Sequence, residues 1–227
     1  MRPLLRPVLL AVSLGLGFLA VLANPAAAQA QDAAAGATTH DQAVKTAPGK
    51  FIQSLGDRAI AVIANKNISA TQRNDKFRQI LQDSFDLMTI GRFVIGRTWN
   101  TATPTQQQEY MKLFEALVIK SYGDRLTLYT GEGFKVVSER PESEKDYIVN
   151  SEITHPDGSQ PTQIDWRVRD RNGKLGVIDV VVEGVSLSVT QRQEYAAVIQ
   201  RNDGKIDGLL DLMRQQLQAP AAPDQPG

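Results

Sequence analysis

The sequence of 227 residues contains no cysteine. This excludes a disulfide framework, thiolate metal ligation and thiol nucleophiles. Only two histidines are present. His40 lies in an Ala-, Gln- and Thr-rich stretch, and His155 opens a His-Pro-Asp-Gly turn, so a histidine-based metal cluster lacks ligands. A Ser-His-Asp triad would have to use His155, and no nucleophile elbow accompanies it: Gly184-Val185-Ser186 supplies only the first half of G-x-S-x-G. Gly-rich phosphate cradles are also missing, since Gly131-Glu132-Gly133 precedes a strand-like segment and not a helix. Charge of one sign is not in excess. The 25 basic and 25 acidic residues cancel, so no basic field draws nucleic acid toward the chain over distance. Asp83 and Asp86, three apart, could share a helix face and do acid–base work, but Asp86 also stands where a helix N-cap is needed.

What the chain does have begins with a leader. Residues 1–30 carry Arg2 and Arg6, an apolar run of about 16 residues from Val8 to Ala23, and small residues that offer A-x-A sites ending at Ala28 and Ala30. The run is short for a membrane span, which takes roughly 20 residues. A secretory signal peptide cleaved near Ala28 or Ala30 is expected, which places the product in the bacterial periplasm. Without Arg2 and Arg6 the mature chain carries 23 basic and 25 acidic residues, a balance of −2. Residues 31–47 and 218–227 have the composition of disordered tails. Residues 48–217 remain, the size of one domain with one hydrophobic core.

Within 48–217 the period of the apolar residues changes once. Helical spacing governs the first half. Phe51, Ile52, Leu55, Ile60 and Ile63 mark one helix, Phe77, Ile80 and Leu81 a second over about 70–84, and a short third covers about 87–95 before Gly96. Thr103-Pro104-Thr105-Gln106 reads as a capping box with proline at the first helical position. Tyr110, Leu113, Phe114, Leu117, Val118 and Tyr122 then form one stripe on a helix that reaches toward Tyr129. After Gly133 the period is two. Strands are expected over 134–138, 146–154, 162–170 and 176–183, joined by turn signals that include Asn172-Gly173. Two helices, about 188–201 and 204–217, close the chain, and Thr190 with Gln193 offers a capping box for the first. The fold class is α+β: a four-stranded antiparallel sheet packed by six or seven helices.

Ile164, Trp166 and Val168 alternate cleanly with Gln163, Asp165, Arg167 and Arg169, as a strand with one covered face should. The run IDVVVEGVSL (178–187) does not alternate cleanly. Strict parity puts Ile178, Val180 and Val182 on one face and Asp179, Val181 and Glu183 on the other, with Val181 packed under a C-terminal helix. Gly184 would bend the chain out of the sheet toward a helix near Thr190.

Three stretches carry a resemblance: FDLMTIGRFVIGRTWNTATPTQQQEYMKLFEALVIKSYGDRL, TQIDWRVRDRNGKLGVIDVVVEGVSLSVTQRQEY and KIDGLLDLM. Their most specific parts are Trp99-x-x-Ala-Thr-Pro-x-Gln, Asp-x-x-x-Glu-Gly-Val-Ser from Asp179 to Ser186, and Gln193-x-Tyr195. In order and spacing, over roughly residues 50–215, they resemble the MlaC/toluene-tolerance family of periplasmic phospholipid-binding proteins. A hopanoid-associated branch, HpnM, belongs to the same family. The resemblance implies a cystatin-like or nuclear-transport-factor-like cone, its curved sheet and helices enclosing an apolar pocket. It implies a monomeric carrier without cofactor or catalysis, with phospholipid as cargo. The partners it implies are an inner-membrane ABC transporter with MCE-domain subunits and an outer-membrane lipoprotein–porin complex.

The physical need for such a carrier is large. Exposing two acyl tails of about 30 methylenes costs roughly 24 kcal/mol at about 0.8 kcal/mol each. From the pattern, the pocket residues are Phe93, Trp99, Phe114, Leu117, Tyr122, Ile164, Trp166, Val168, Val180 and Val182. Two other classes stay open: an enzyme on the same cone, which requires ionisable groups pointing inward, and a bridging module with a filled core.

Overall fold

The computed structural model describes residues 46–123 and 131–219, and the side chain of Tyr122 lies outside the described residues. The expected signal peptide, most of the N-terminal tail, the C-terminal residues from Pro220 and the continuation of a helix toward Tyr129 also lie outside them.

Among the described residues seven helices and five strands follow in order: α1 (Ala47–Ala64), α2 (Ala70–Ser84), α3 (Leu87–Ile95), α4 (Thr98–Thr101), α5 (Pro104–Gly123), β1 (Gly133–Pro141), β2 (Asp146–Thr154), β3 (Thr162–Arg171), β4 (Lys174–Val182), β5 (Val185–Ser186), α6 (Leu187–Arg201) and α7 (Asp207–Gln218). Local chemistry explains the starts. Ser69 and Gln72 form a reciprocal capping box at α2. Asp86 caps α3, accepting from the Thr89 backbone N–H at 3.0 Å, so its carboxylate is spent on a helix end. Thr103 and Gln106 form the box expected before α5: the Thr103 N–H donates to Gln106 Oε1 at 2.9 Å, and the Gln106 N–H to Thr103 Oγ1 at 3.3 Å.

The strands form one antiparallel sheet in sequence order, β1-β2-β3-β4-β5. Asn172 and Gly173 both have positive φ, as a two-residue hairpin with the right twist requires. The expectation of four strands needs correction. Glu183 and Gly184 also both have positive φ, so β4 reverses into a fifth strand whose Val185 pairs with Val182 and Ser186 with Val181. Gly184 does bend the chain, but back onto the sheet. Ser186 then caps α6, accepting from the Val189 N–H at 3.1 Å, and the helix starts at Leu187. Thr190 is no cap: its hydroxyl donates to the Ser186 carbonyl at 2.9 Å.

Strict parity on β4 fails at one residue. Val168 pairs with Val177 and Arg167 with Asp179, so Ile178 is the extra residue of a bulge. The bulge brings Val177 onto the face shared by Val180, Val182, Ile164, Trp166 and Val168. The opposite face is a polar ladder: Ser138 Oγ donates to Asn150 Oδ1 at 2.8 Å and Asn150 Nδ2 to Asp165 Oδ1 at 2.7 Å.

The interior consists of two apolar clusters. In the first, α1 and α2 cover the sheet: Ile52, Leu55 and Ile80 pack on Val136, Val149, Val168 and Val177, with Phe51, Phe85, Phe134 and Trp166 around them. Trp166 stands edge-on between Phe85 and Phe134, at centroid distances of 6.5 and 6.2 Å. Its indole N–H donates to buried Ser151 at 2.8 Å. The second cluster is helical and joins α3, α5, α6 and α7 around Tyr110, Phe114, Leu117, Tyr195, Leu209 and Met213. Tyr110 is fully buried, contacts the rings of Trp99, Phe114 and Tyr195, and donates its hydroxyl to the Gly91 carbonyl at 3.0 Å. Burial pushes the Tyr110 and Tyr195 phenols well above their ordinary value, so both stay neutral.

At the far end of the sheet, Asp146 and Arg169 are cross-strand partners joined by two hydrogen bonds of 2.7 Å. That bond and the guanidinium charge hold the Asp146 carboxyl below its usual value, against the opposing effect of burial, and the same bond raises Arg169. Because the folded carboxyl is the stronger acid, the pair stabilises the fold at pH above the unfolded value. That contribution is lost as pH falls through the folded value.

Two outcomes are expected. In Gly56→Ala the new Cβ would lie 2.1 Å from Phe134 Cδ1. Phe134 must move off α1, and overpacking of about 1–3 kcal/mol should lower the thermal midpoint by several degrees in calorimetry. In Asp146→Asn, denaturant titrations should show lower stability at neutral pH, with the gap to the unaltered protein narrowing below about pH 4. A gap independent of pH would remove the ion pair as its cause.

Candidate functional site

The two clusters do not close on one another completely. Between them lies an apolar cavity of about 120 Å³. Leu81 and Phe85 bound it on the α1–α2 side, and Val180 of β4 forms the sheet wall. Leu87, Ile90 and Val94 of α3, Phe114 and Val118 of α5, and Leu187, Ser188 and Gln191 of α6 complete it. The spacing of the three α3 residues, at i, i+3 and i+7, turns one face of that helix inward. Asp179 supplies the one carboxylate on the lining, and its oxygens are already engaged. Oδ1 accepts from the Ser188 N–H at 3.2 Å and Ser188 Oγ at 2.7 Å, and Oδ2 from Ser186 Oγ at 2.7 Å. Asp179 therefore ties the first turn of α6 to β4 and offers little to a reaction.

A polar groove of about 340 Å³ adjoins this cavity, and Phe85 and Leu87 line both. Its other walls include Asp83, Asp86, Met88, Arg169, Arg171, Lys174 and Gly176. Arg171 reaches Asp86 at 2.9 Å. A third, open depression runs past Ser143–Asp146 and Arg169–Asn172. Its walls are the ion-paired end of the sheet, and it has no apolar floor.

Of the residues expected at the pocket, Phe114 and Val180 line the cavity. Trp166 sits one layer behind, against Phe85. Val168 is fully buried beneath α1 and α2, and Ile164 is buried at the other end of β3. Val182 pairs with Ile164 on the same face. Leu117 and Trp99 pack into the helical cluster, and the Arg92 guanidinium lies 5.2 Å from the Trp99 ring centre. Phe93 is 42% exposed, its ring covered on one side by Arg192 at 4.9 Å. Tyr122 lies outside the described side chains.

Leu81, Phe85, Leu87, Ile90, Val94, Val118, Leu187 and Gln191 line the cavity without having been expected there. Val118 follows Leu117 on the same stripe, and one residue of a helix is a rotation of about 100°; periodicity alone did not separate the two. His155 is half-buried, its Nε2 3.0 Å from Thr162 Oγ1. Among the described residues no group of three His, Cys, Asp or Glu side chains could hold a metal ion, and no helix is long and apolar enough to cross a membrane.

Comparison with known proteins bears on the fold and the family. The solved structure of a phospholipid-binding protein from Ralstonia solanacearum, in complex with a phospholipid, superimposes with a TM-score of 0.65 at 23% identity, over 74% of this chain and 96% of that one. This likeness shows the fold. The intermembrane phospholipid transport system binding protein MlaC of Haemophilus influenzae is 23% identical over 189 residues, 80% of this chain and 87% of that protein. The toluene tolerance protein ttg2D of Pseudomonas putida is 26% identical over 179 residues, 77% of this chain and 79% of that protein. The family model described as MlaC protein matches residues 53–215. The chain belongs to the MlaC protein family.

Proposed function

We propose that this chain is a phospholipid carrier of the periplasm that holds acyl tails in the cavity between its two apolar clusters. The observation that carries the reading is that cavity, walled by Leu, Ile, Val and Phe side chains and free of unengaged carboxylates. The family supports it, as do the names of the relatives, which speak of intermembrane phospholipid transport and of phospholipid binding. Residues 1–30 act as the export signal, residues 31–47 and 218–227 flank the domain, and the mature chain works as a monomer between the outer-membrane lipoprotein–porin complex and the inner-membrane MCE-domain transporter.

The cavity's size sets a condition on binding. About 120 Å³ is below the roughly 300–1,000 Å³ of ordinary ligand pockets, and two acyl tails need more than that volume. Loading therefore moves α5 away from α2 and β4, and the tails extend along the sheet face. Trp166, Val168, Val180, Val182 and Ile164 share that face, and Phe114 and Val118 stand opposite on α5. Binding then consists of exchanging water for hydrocarbon and requires no covalent step.

Val118→Trp tests the assignment of the wall. Val118 is half-buried at the cavity, so an indole there fills space that tails would enter. Native mass spectrometry of the exported variant should show lipid occupancy reduced severalfold while circular dichroism stays that of the unaltered protein. A folded variant with full occupancy would move the tails elsewhere.

A further inference from the structure

The polar groove beside the cavity carries two like charges side by side. Arg171 and Lys174 flank the Asn172-Gly173 turn and are direct cross-strand partners. Side chains so placed have Cβ atoms about 4.5–5.5 Å apart, and like charges there repel. Arg171 turns toward α3, meeting Asp86 at 2.9 Å and donating to Thr89 Oγ1 at 2.5 Å. The Lys174 side chain makes no ion pair or hydrogen bond among the described residues. Asp83, on α2, lines the same groove and likewise has no partner among them. Arg169 is committed to Asp146. Once these pairings are made, one free base and one free acid remain around about 340 Å³.

Phe85 and Leu87 line both this groove and the apolar cavity. An amphiphile whose tails occupy the cavity and pass those two side chains places its head in the groove. Met88, 48% exposed, adds an apolar shelf at the groove's edge for the glycerol region.

We propose that Arg171, Lys174 and Asp83 form a headgroup subsite for a zwitterionic aminophospholipid, with the phosphate between the two cations and the ammonium at Asp83. The phosphate relieves the Arg171–Lys174 repulsion by accepting from both, as charge-assisted bonds to phosphate do. Arg171 can share itself because its own side chain is 57% exposed in the pair with Asp86, which leaves donors of the guanidinium open to a second acceptor. A headgroup with net negative charge and no amine leaves Asp83 unsatisfied and facing the anion, so it is disfavoured.

This subsite rests on the carrier reading, and the experiment separates the two. The full exported chain is loaded from mixed micelles holding equal amounts of dioleoyl phosphatidylethanolamine and dioleoyl phosphatidylglycerol, and bound lipid is quantified by mass spectrometry. The unaltered protein should take the ethanolamine lipid in about threefold or greater excess, the effect of an exposed charge contact. Lys174→Ala should lower retention of both lipids, and Lys174→Arg should restore it. Asp83→Asn should bring the ratio near one. Equal uptake of both lipids by the unaltered protein, or variants that keep its ratio and retention, would overturn the subsite and leave the carrier intact. Failure of the unaltered protein to load either lipid would overturn both.

Discussion

The arrangement of this molecule depends on how one apolar sheet face is covered. Helices α1 and α2 cover only part of it, pressing Ile52, Leu55 and Ile80 onto Val136, Val149, Val168 and Val177. The remaining helices bury their apolar stripes mainly against each other, around Tyr110 and Leu209. Two self-sufficient clusters that meet along a seam are easier to part than one continuous core, because each keeps its own close packing. The seam is where Phe85, Val94, Phe114, Val118 and Val180 meet across open space. Polar groups at its margin are engaged by the fold itself, Asp179 by Ser186 and Ser188 and Asp86 by Thr89. What is left on the inner surface is mostly hydrocarbon.

Much of the fold was legible because its local signals are strong and agree with one another. The capping box at Thr103, the cap at Asp86, the Asn172-Gly173 turn and the switch from helical to alternating spacing each have a local cause, and each appears where expected. The failures also share a cause. The bulge at Ile178 depends on how two strands pair, so it leaves no mark in either strand alone, and strict alternation back from Val180 would put Val177 on the opposite face. The turn at Glu183-Gly184 was hidden because Glu183 is a non-glycine residue at φ 48°, and the strand after it is two residues long. For α3, apolar residues at Leu87, Met88, Ile90, Phe93, Val94 and Ile95 surround the helix. Only contact with neighbours decides that Leu87, Ile90 and Val94 face the cavity while Met88 and Phe93 face outward.

The site was legible in kind and less so in detail. The absence of cysteine, the scarcity of histidine and the neutral charge balance argued against chemistry at a metal or thiol and for a function of apolar surface. Which apolar side chains face the cavity is set by rotations and crossings of helices that periodicity does not encode. The groove next to the cavity went unnoticed because its ingredients, an Asp at the end of α2 and an Arg and a Lys across a hairpin, lie about 90 residues apart and are individually ordinary.

The central claim is that the seam between the clusters receives the tails of a phospholipid. Native mass spectrometry of residues 31–227, the form that cleavage at Ala30 would leave, followed by lipid extraction, tests it most directly. The account predicts a stoichiometric added mass that releases a diacyl phospholipid. A polycyclic lipid in its place would contradict the choice of cargo, and a bare protein that also refuses added phospholipid would contradict the carrier itself.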